Sequence, residues 1–303
     1  MKKAFKVVGA LVLIYVILGS FKAFFVFKKI RNHPFCHCHG DDTFCGCVDE
    51  GSSMNMMDKV SCPIEKDYSQ GKSTGVVKWY YENGQLCKVE KYFLGEKNGV
   101  ATAYYENGQM AVEGNYKDGM ENGVWKKYYE NGQLEAESRY ENGEPDGAWK
   151  EYYESGKLKA EWNYKDGKGN GVWMWYYENG QVEREENYIN GRKQGGMKLY
   201  HKDGQLREKE HYNGGKQNGV VKRYRENGQL EAEENYKDGQ RDGVWKEYYK
   251  NGKIEREINY KDGKLNGVTK WYLKNGLVYE YNYKNDRMDD AYKVYDKNGR
   301  ILE

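Results

Sequence analysis

The sequence predicts an all-β repeat array, an elongated and twisted antiparallel β-meander of about ten hairpin units preceded by an N-terminal hydrophobic helix. Three observations predict it. An Asn-Gly-type turn glycine returns every 24 residues, at Gly84, Gly108, Gly132, Gly156, Gly180, Gly204, Gly228, Gly252 and Gly276, then at Gly299 after a step of 23. Two further glycines recur at the same interval, in the series that begin Gly95, Gly119, Gly143 and Gly75, Gly99, Gly123. The runs between the turns are about eight residues long and rich in Tyr, Trp, Val and Leu, which is the length and chemistry of strands.

In chain order, residues 1–31 come first. Met1-Lys-Lys opens a basic segment, followed by the apolar run Val7 to Phe21, then Lys22, a second apolar patch Ala23 to Phe27, and Lys28, Lys29 and Arg31. A basic start and a short apolar run describe a secretory signal peptide. The run from Val7 through Phe27 is also long enough for a tilted membrane anchor, with Lys22 reaching to the interface. Both readings place the repeats outside the cytoplasm, in the cell envelope.

Residues 32–70 hold a Cys/His-rich segment and a linker. Cys36, His37, Cys38, His39, Cys45 and Cys47 cluster, with Cys62 beyond. Thiolates and imidazoles of this kind can ligate zinc. In an exported segment the same cysteines pair as disulfides, or stay as thiols. Cys87 stands alone in the first repeat, where Cys62 is a candidate partner.

Residues 71–303 form the array. Charged residues make up 32% of the chain and aromatics 15%, while Leu, Ile and Val are scarce, which argues against one thick hydrophobic core. Rows of aromatic side chains must supply the buried area instead, each unit packing on its neighbours. Asn-Gly between strand-like runs marks a hairpin. A three-residue loop, Glu130-Asn131-Gly132, would set Tyr128 opposite Leu134; a two-residue loop would pair Lys126 with Glu137 and Trp125 with Ser138. One residue of slip exchanges the two faces. The three-residue loop is favoured, because it gathers the constant positions Tyr128, Leu134 and Tyr140 and their equivalents on one face. The variable second Tyr (His201 and Arg225 in two units) and the Trp row then fall on the other.

The pattern Tyr-Tyr-Glu-Asn-Gly-Gln-Leu, followed by Glu, Tyr and Gly, resembles the bacterial variant of the MORN repeat over residues 71–303. The resemblance implies an elongated array of β-hairpins serving as an interaction surface. For some members it also implies a role as an antitoxin. Trp-Tyr-Tyr before Asn-Gly is similar as well to choline-binding hairpin repeats, whose aromatic cages hold a quaternary ammonium.

No catalytic constellation emerges. The glutamates before the turns, such as Glu130 and Glu154, are solvated turn positions, and His201 and His211 share a unit without a nucleophile. The sequence therefore points to a non-enzymatic, exported or membrane-anchored scaffold for another protein or an extended cell-envelope polymer. An antitoxin or immunity protein and a cell-wall or choline-type glycan binder are the alternatives. Trp125, Trp149, Trp173, Trp175, Trp245 and Trp271 are the contact candidates, set against plain packing between repeats. Acidic and basic residues are interspersed and the net charge is +2, so nothing marks a nucleic-acid partner. No cofactor is expected beyond zinc at the cysteine cluster. The last strand, Tyr292 to Tyr295 with Arg300-Ile301-Leu302, offers an edge for self-association, unless Asp290-Ala291 marks a cap.

Overall fold

The computed structural model describes residues 72–289 and 291–302, together with two-residue strands at 37–38, 45–46, 59–60 and 68–69. The chain divides into two units, Met1–Val60 and Ser61–Glu303. In the first, His37–Cys38, Cys45–Gly46 and Lys59–Val60 pair in sequence order, with Cys38 opposite Cys45 in the backbone register. The apolar segment of residues 1–31 and the side chains of the cysteine cluster lie outside the described residues.

In the second unit, 28 strands from Gly75 to Tyr295 form one antiparallel meander without helix among the described residues. Each repeat contributes three strands. In the unit beginning at Gly123 these are Gly123–Tyr128, Leu134–Glu141 and the two-residue Glu144–Pro145. The short strand pairs only with the tip of the long one, whose middle pairs with the next repeat through Ala136–Glu151 and Glu137–Lys150. The rings of pairing in the sheet are thus local. Among the described residues no register pair joins Lys293–Tyr295 to Gly75–Tyr80.

Two turns of different chemistry build each unit. The Asn-Gly turn is the three-residue loop: Tyr129 N–H donates to Gln133 O at 2.8 Å and Gly132 N–H to Tyr129 O at 2.9 Å. Gly132 has φ +81°, the left-handed conformation such a loop demands, and the Asn131 carboxamide oxygen accepts from Gln133 N–H. The second turn is Asn142-Gly143, with φ +50° and +80° between Glu141 and Glu144. Left-handed conformation at both central residues suits the type I′ turn, which explains why Asp or Asn precedes this glycine in most repeats.

Both registers weighed from sequence occur in one hairpin. Tyr128 pairs with Leu134, as the three-residue loop requires, but Lys127 then pairs with Ala136 and Trp125 with Ser138. Glu135 is the extra residue of a β-bulge. The bulge corrects the expected faces: beyond it, Tyr140 shares a face with Trp125, and Tyr128 lies on the opposite one. Eight of the nine complete hairpins shift register at this position. The ninth does not: Tyr272 pairs with Val278 and Trp271 with Tyr279. That hairpin lacks the bulge residue, which accounts for the 23-residue step to Gly299.

Hydrogen bonds from repeat to repeat lace both edges of the ribbon. Along one, Gly119 N–H donates to Lys97 O, Gly143 to Glu121 O and Gly167 to Pro145 O, each at 2.9 Å. Along the other, the second Tyr of each pair donates its hydroxyl to a backbone carbonyl in the next repeat. The chain's tenth copy is reduced to Lys293–Tyr295 and a bridge from Tyr295 to Ile301.

Candidate functional site

The two faces of the sheet differ in what they leave to solvent. On the covered face the third residue of each six-residue strand is buried throughout: Val77, Ala101, Trp125, Trp149, Trp173, Met197, Val221, Trp245 and Thr269. Tyrosines from the long strands pack against the tryptophans. Tyr116 meets Trp125 edge-on at 5.0 Å, and Trp149 lies 5.4 Å from Tyr140 and 5.1 Å from Tyr164. Close packing requires small partners. A Cβ on Gly114 would stand 2.1 Å from the Trp125 ring, so only glycine fits beneath that indole.

In four repeats a buried carboxylate lies opposite the third residue: Glu90 faces Val77, Glu186 faces Trp173, Glu210 faces Met197 and Glu234 faces Val221. Buried charges need partners. Glu90 has Lys88 and Lys97 at 2.9 Å each and accepts from the Tyr92 hydroxyl at 2.8 Å. Burial pushes its carboxyl up, but the two ammonium groups outweigh that and hold it below the usual range. Lys88, with one carboxylate and a neighbouring ammonium, is pulled down by its own burial. Glu186 accepts from Lys193 at 2.7 Å and Tyr188 at 2.7 Å. Glu208 is different: burial, then its contact with Glu210, pushes it up to about 7.

The opposite face carries a column of charge, interrupted by the neutral Val89, Thr102 and Met174. Lys126 stands between Glu113 and Glu137, Lys150 between Glu137 and Glu161, Lys246 between Glu233 and Glu257, and Lys270 between Glu257 and Glu280. Ion pairs form along it, at 2.7 Å for Lys222–Glu233 and 3.2 Å for Lys270–Glu280. Each contributes about 0.2–1 kcal/mol at such exposed positions. The first Tyr of each pair leans into the same column: Tyr128 donates to Glu113 at 2.7 Å, and burial together with that bond pushes its hydroxyl up to about 12. Beside the column runs a row of exposed valines, among them Val100 at 51% and Val172 at 49%.

Of the tryptophans singled out from sequence, Trp125, Trp149, Trp173 and Trp245 are 2–9% exposed and pack between repeats. Trp175 is half-buried, with the Arg184 guanidinium 3.6 Å above its ring. Trp271 is 44% exposed, with the Arg256 guanidinium 5.8 Å from its ring. Sequence reasoning missed Trp162, which lies opposite Trp149 and 6.0 Å from Trp173. It also missed the buried glutamates; both follow from the register once the bulge is known. No cluster of metal-ligating side chains occurs among the described residues, while Cys36, His37, Cys38, His39, Cys45, Cys47 and Cys62 fall outside the described side chains. Cys87, in the bulge of the first hairpin, is 2% exposed.

No curated protein matches the chain. Among solved structures it is similar to the crystal structure of TcdB2-TccC3, at 13% identity and TM-score 0.19, over 75% of this chain and 16% of that one. The crystal structure of TcdB2-TccC3-Cdc42 matches at 14% identity and TM-score 0.18, over 84% and 17% respectively. The chain thus spans less than a fifth of these much larger proteins. The model of the MORN repeat variant matches eight times, at residues 73–93, 97–118, 121–142, 145–166, 170–190, 193–213, 217–238 and 241–262. These segments cover more than half of the sequence, and their 24-residue spacing is that of the hairpins described above: the chain belongs to the MORN repeat variant family.

Proposed function

We propose that the array is a non-enzymatic scaffold that binds another protein through its charge-alternating face. The observation that carries this reading is the division of labour between the faces. One spends its tryptophans on packing, whereas the other presents Lys, Glu, Tyr and Val in the same grid repeat after repeat. A regular grid of rotatable charges beside an apolar row suits a partner lying along several repeats, and area rather than a deep pocket supplies the affinity. The basic and apolar segment of residues 1–31 supports export or membrane anchoring of this scaffold. An antitoxin role is the same reading with a toxin as the partner.

The choline-type alternative finds less support. A quaternary ammonium needs open aromatic faces, but Arg184 already covers Trp175, and six of the other tryptophans are buried. Cross-linking of the bound partner followed by mass spectrometry tests the proposal. Links at Lys126, Lys150 and Lys246 are expected; a partner linked at none of the lysines of this face would overturn it.

A further inference from the structure

Neutral side chains interrupt the alternation of charge on the exposed face at Val89, Thr102 and Met174, but at one place among the described residues like charges meet instead. Lys198, Lys209 and Lys222 are successive register partners, so three ammonium groups occupy neighbouring strands where the ladder elsewhere sets a glutamate between two lysines. Like charges directly opposite destabilise a sheet. The outer two lean away to carboxylates on their far sides, Lys198 to Glu185 at 3.1 Å and Lys222 to Glu233 at 2.7 Å. Lys209 is exposed and has no ion pair among the described residues.

Two independent features converge on the same spot. In six other units the first Tyr donates to the glutamate 15 residues earlier, as Tyr200 does to Glu185 and Tyr248 to Glu233. For Tyr224 that earlier residue is Lys209, a donor in place of the acceptor that those six tyrosines have. The valine row is interrupted as well. Gly196 takes the valine's place opposite His211, and nothing lies within 4 Å of where its Cβ would stand. The result is a notch lined by groups that donate, open to solvent and fenced by Glu185 and Glu233.

We propose that this notch binds a single phosphate monoester carried on a side chain of a partner protein. The inference rests on the reading that this face takes a protein partner. A phosphate monoester carries about −1.5 to −2 charge and three terminal oxygens, which several ammonium groups on flexible stems and a phenol can approach from different strands. A lone carboxylate offers two oxygens, fewer than the three ammonium groups and the phenol can engage together, and planar carboxylate recognition favours arginine. Three strands span roughly 10 Å at about 4.8 Å each. A nucleic-acid backbone or a membrane surface would run its charges onto the carboxylates at both ends, so the fences favour one compact anion. Like charges set together against the local rule of sheet pairing are where a functional site is expected.

Calorimetric titration of the full chain with a Gly-Ser peptide carrying one phosphoserine tests this, beside the unphosphorylated peptide and vesicles containing phosphatidic acid. The phosphopeptide is expected to bind at least tenfold more tightly than its unphosphorylated form. Lys209→Glu restores the alternation, so it is expected to raise the melting temperature while weakening phosphopeptide binding at least tenfold; Tyr224→Phe is expected to weaken it severalfold. Equal binding of the two peptides, unchanged affinity in Lys209→Glu, or binding to vesicles alone would overturn the proposal. Cross-links from a partner to Lys126, Lys150 and Lys246 would survive that outcome, so the scaffold reading stands or falls separately.

Discussion

The hydroxyl of Tyr129 donates to the backbone carbonyl of Tyr152 at 2.7 Å, and the same bond recurs one repeat later from Tyr153 to Tyr176 at 2.6 Å. At two of its three replacements the donor is kept, Leu273 being the exception: His201 Nε2 lies 3.1 Å from Tyr224 O, and Arg225 donates to Tyr248 O at 2.6 Å. In those two repeats the side chain changes while the chemistry of the position is preserved. Tyr129→Phe should cost about 1 kcal/mol, the usual net worth of one such bond, measured as a shift in urea midpoint at constant slope. His201→Tyr should be neutral. A neutral Tyr129→Phe would show that the edge column does not hold adjacent repeats together.

Gly114 and Trp125 form a size-matched pair. Gly114→Ala places a Cβ 2.1 Å from the indole, and overpacking of this kind costs about 1–3 kcal/mol. Combining it with Trp125→Ala should give a double variant less destabilised than the sum of the singles. Additive losses in the denaturation cycle would contradict the packing described.

Glu208 makes stability depend on pH. Its carboxyl is raised from 4.5 to about 7 in the folded protein, so between those values the folded state binds more protons than the unfolded one. The contribution is complete below about pH 4.5 and lost as pH rises through about 7. After solvent screening it is on the order of 1–2 kcal/mol. Thermal melts from pH 5 to 8 should show a fall that Glu208→Gln abolishes; an identical fall in the variant would remove Glu208 as the cause.

Deletion of Glu135 should be tolerated, because the last complete hairpin runs without its counterpart and keeps its pairings. Deletion of Lys127 should not, since it reverses the faces of the strand residues before it. Circular dichroism melts of the two deletions distinguish them: a cooperative transition within a few degrees of the parent is expected for the first only.

The repeat, its period and its strands were legible because glycine spacing and turn chemistry are local properties of sequence. The register was not. Loop length predicts Tyr128 opposite Leu134 and, taken alone, carries Tyr140 to the Tyr128 face; the bulge at Glu135 reverses that. One signal was present, the 23-residue step near the C-terminus, where one residue is missing between Val278 and Tyr283 while the pairing of Gly267 with Tyr283 matches that of Gly123 with Tyr140. The assignment of tryptophans to packing depended on that parity. So did the charge column, because Lys126–Glu137 and Lys246–Glu257 are opposite one another only beyond the bulge.

Cysteine trapping reads this register directly. Lys126→Cys with Glu137→Cys should oxidise to an intramolecular disulfide, identified by mass spectrometry, because these residues are cross-strand partners. Trp125→Cys with Glu137→Cys should not. Cross-linking of the second pair in preference to the first would mean that the hairpin runs without its bulge, carrying Tyr140 to the Tyr128 face, away from the tryptophans, and dismantling the two-faced scaffold.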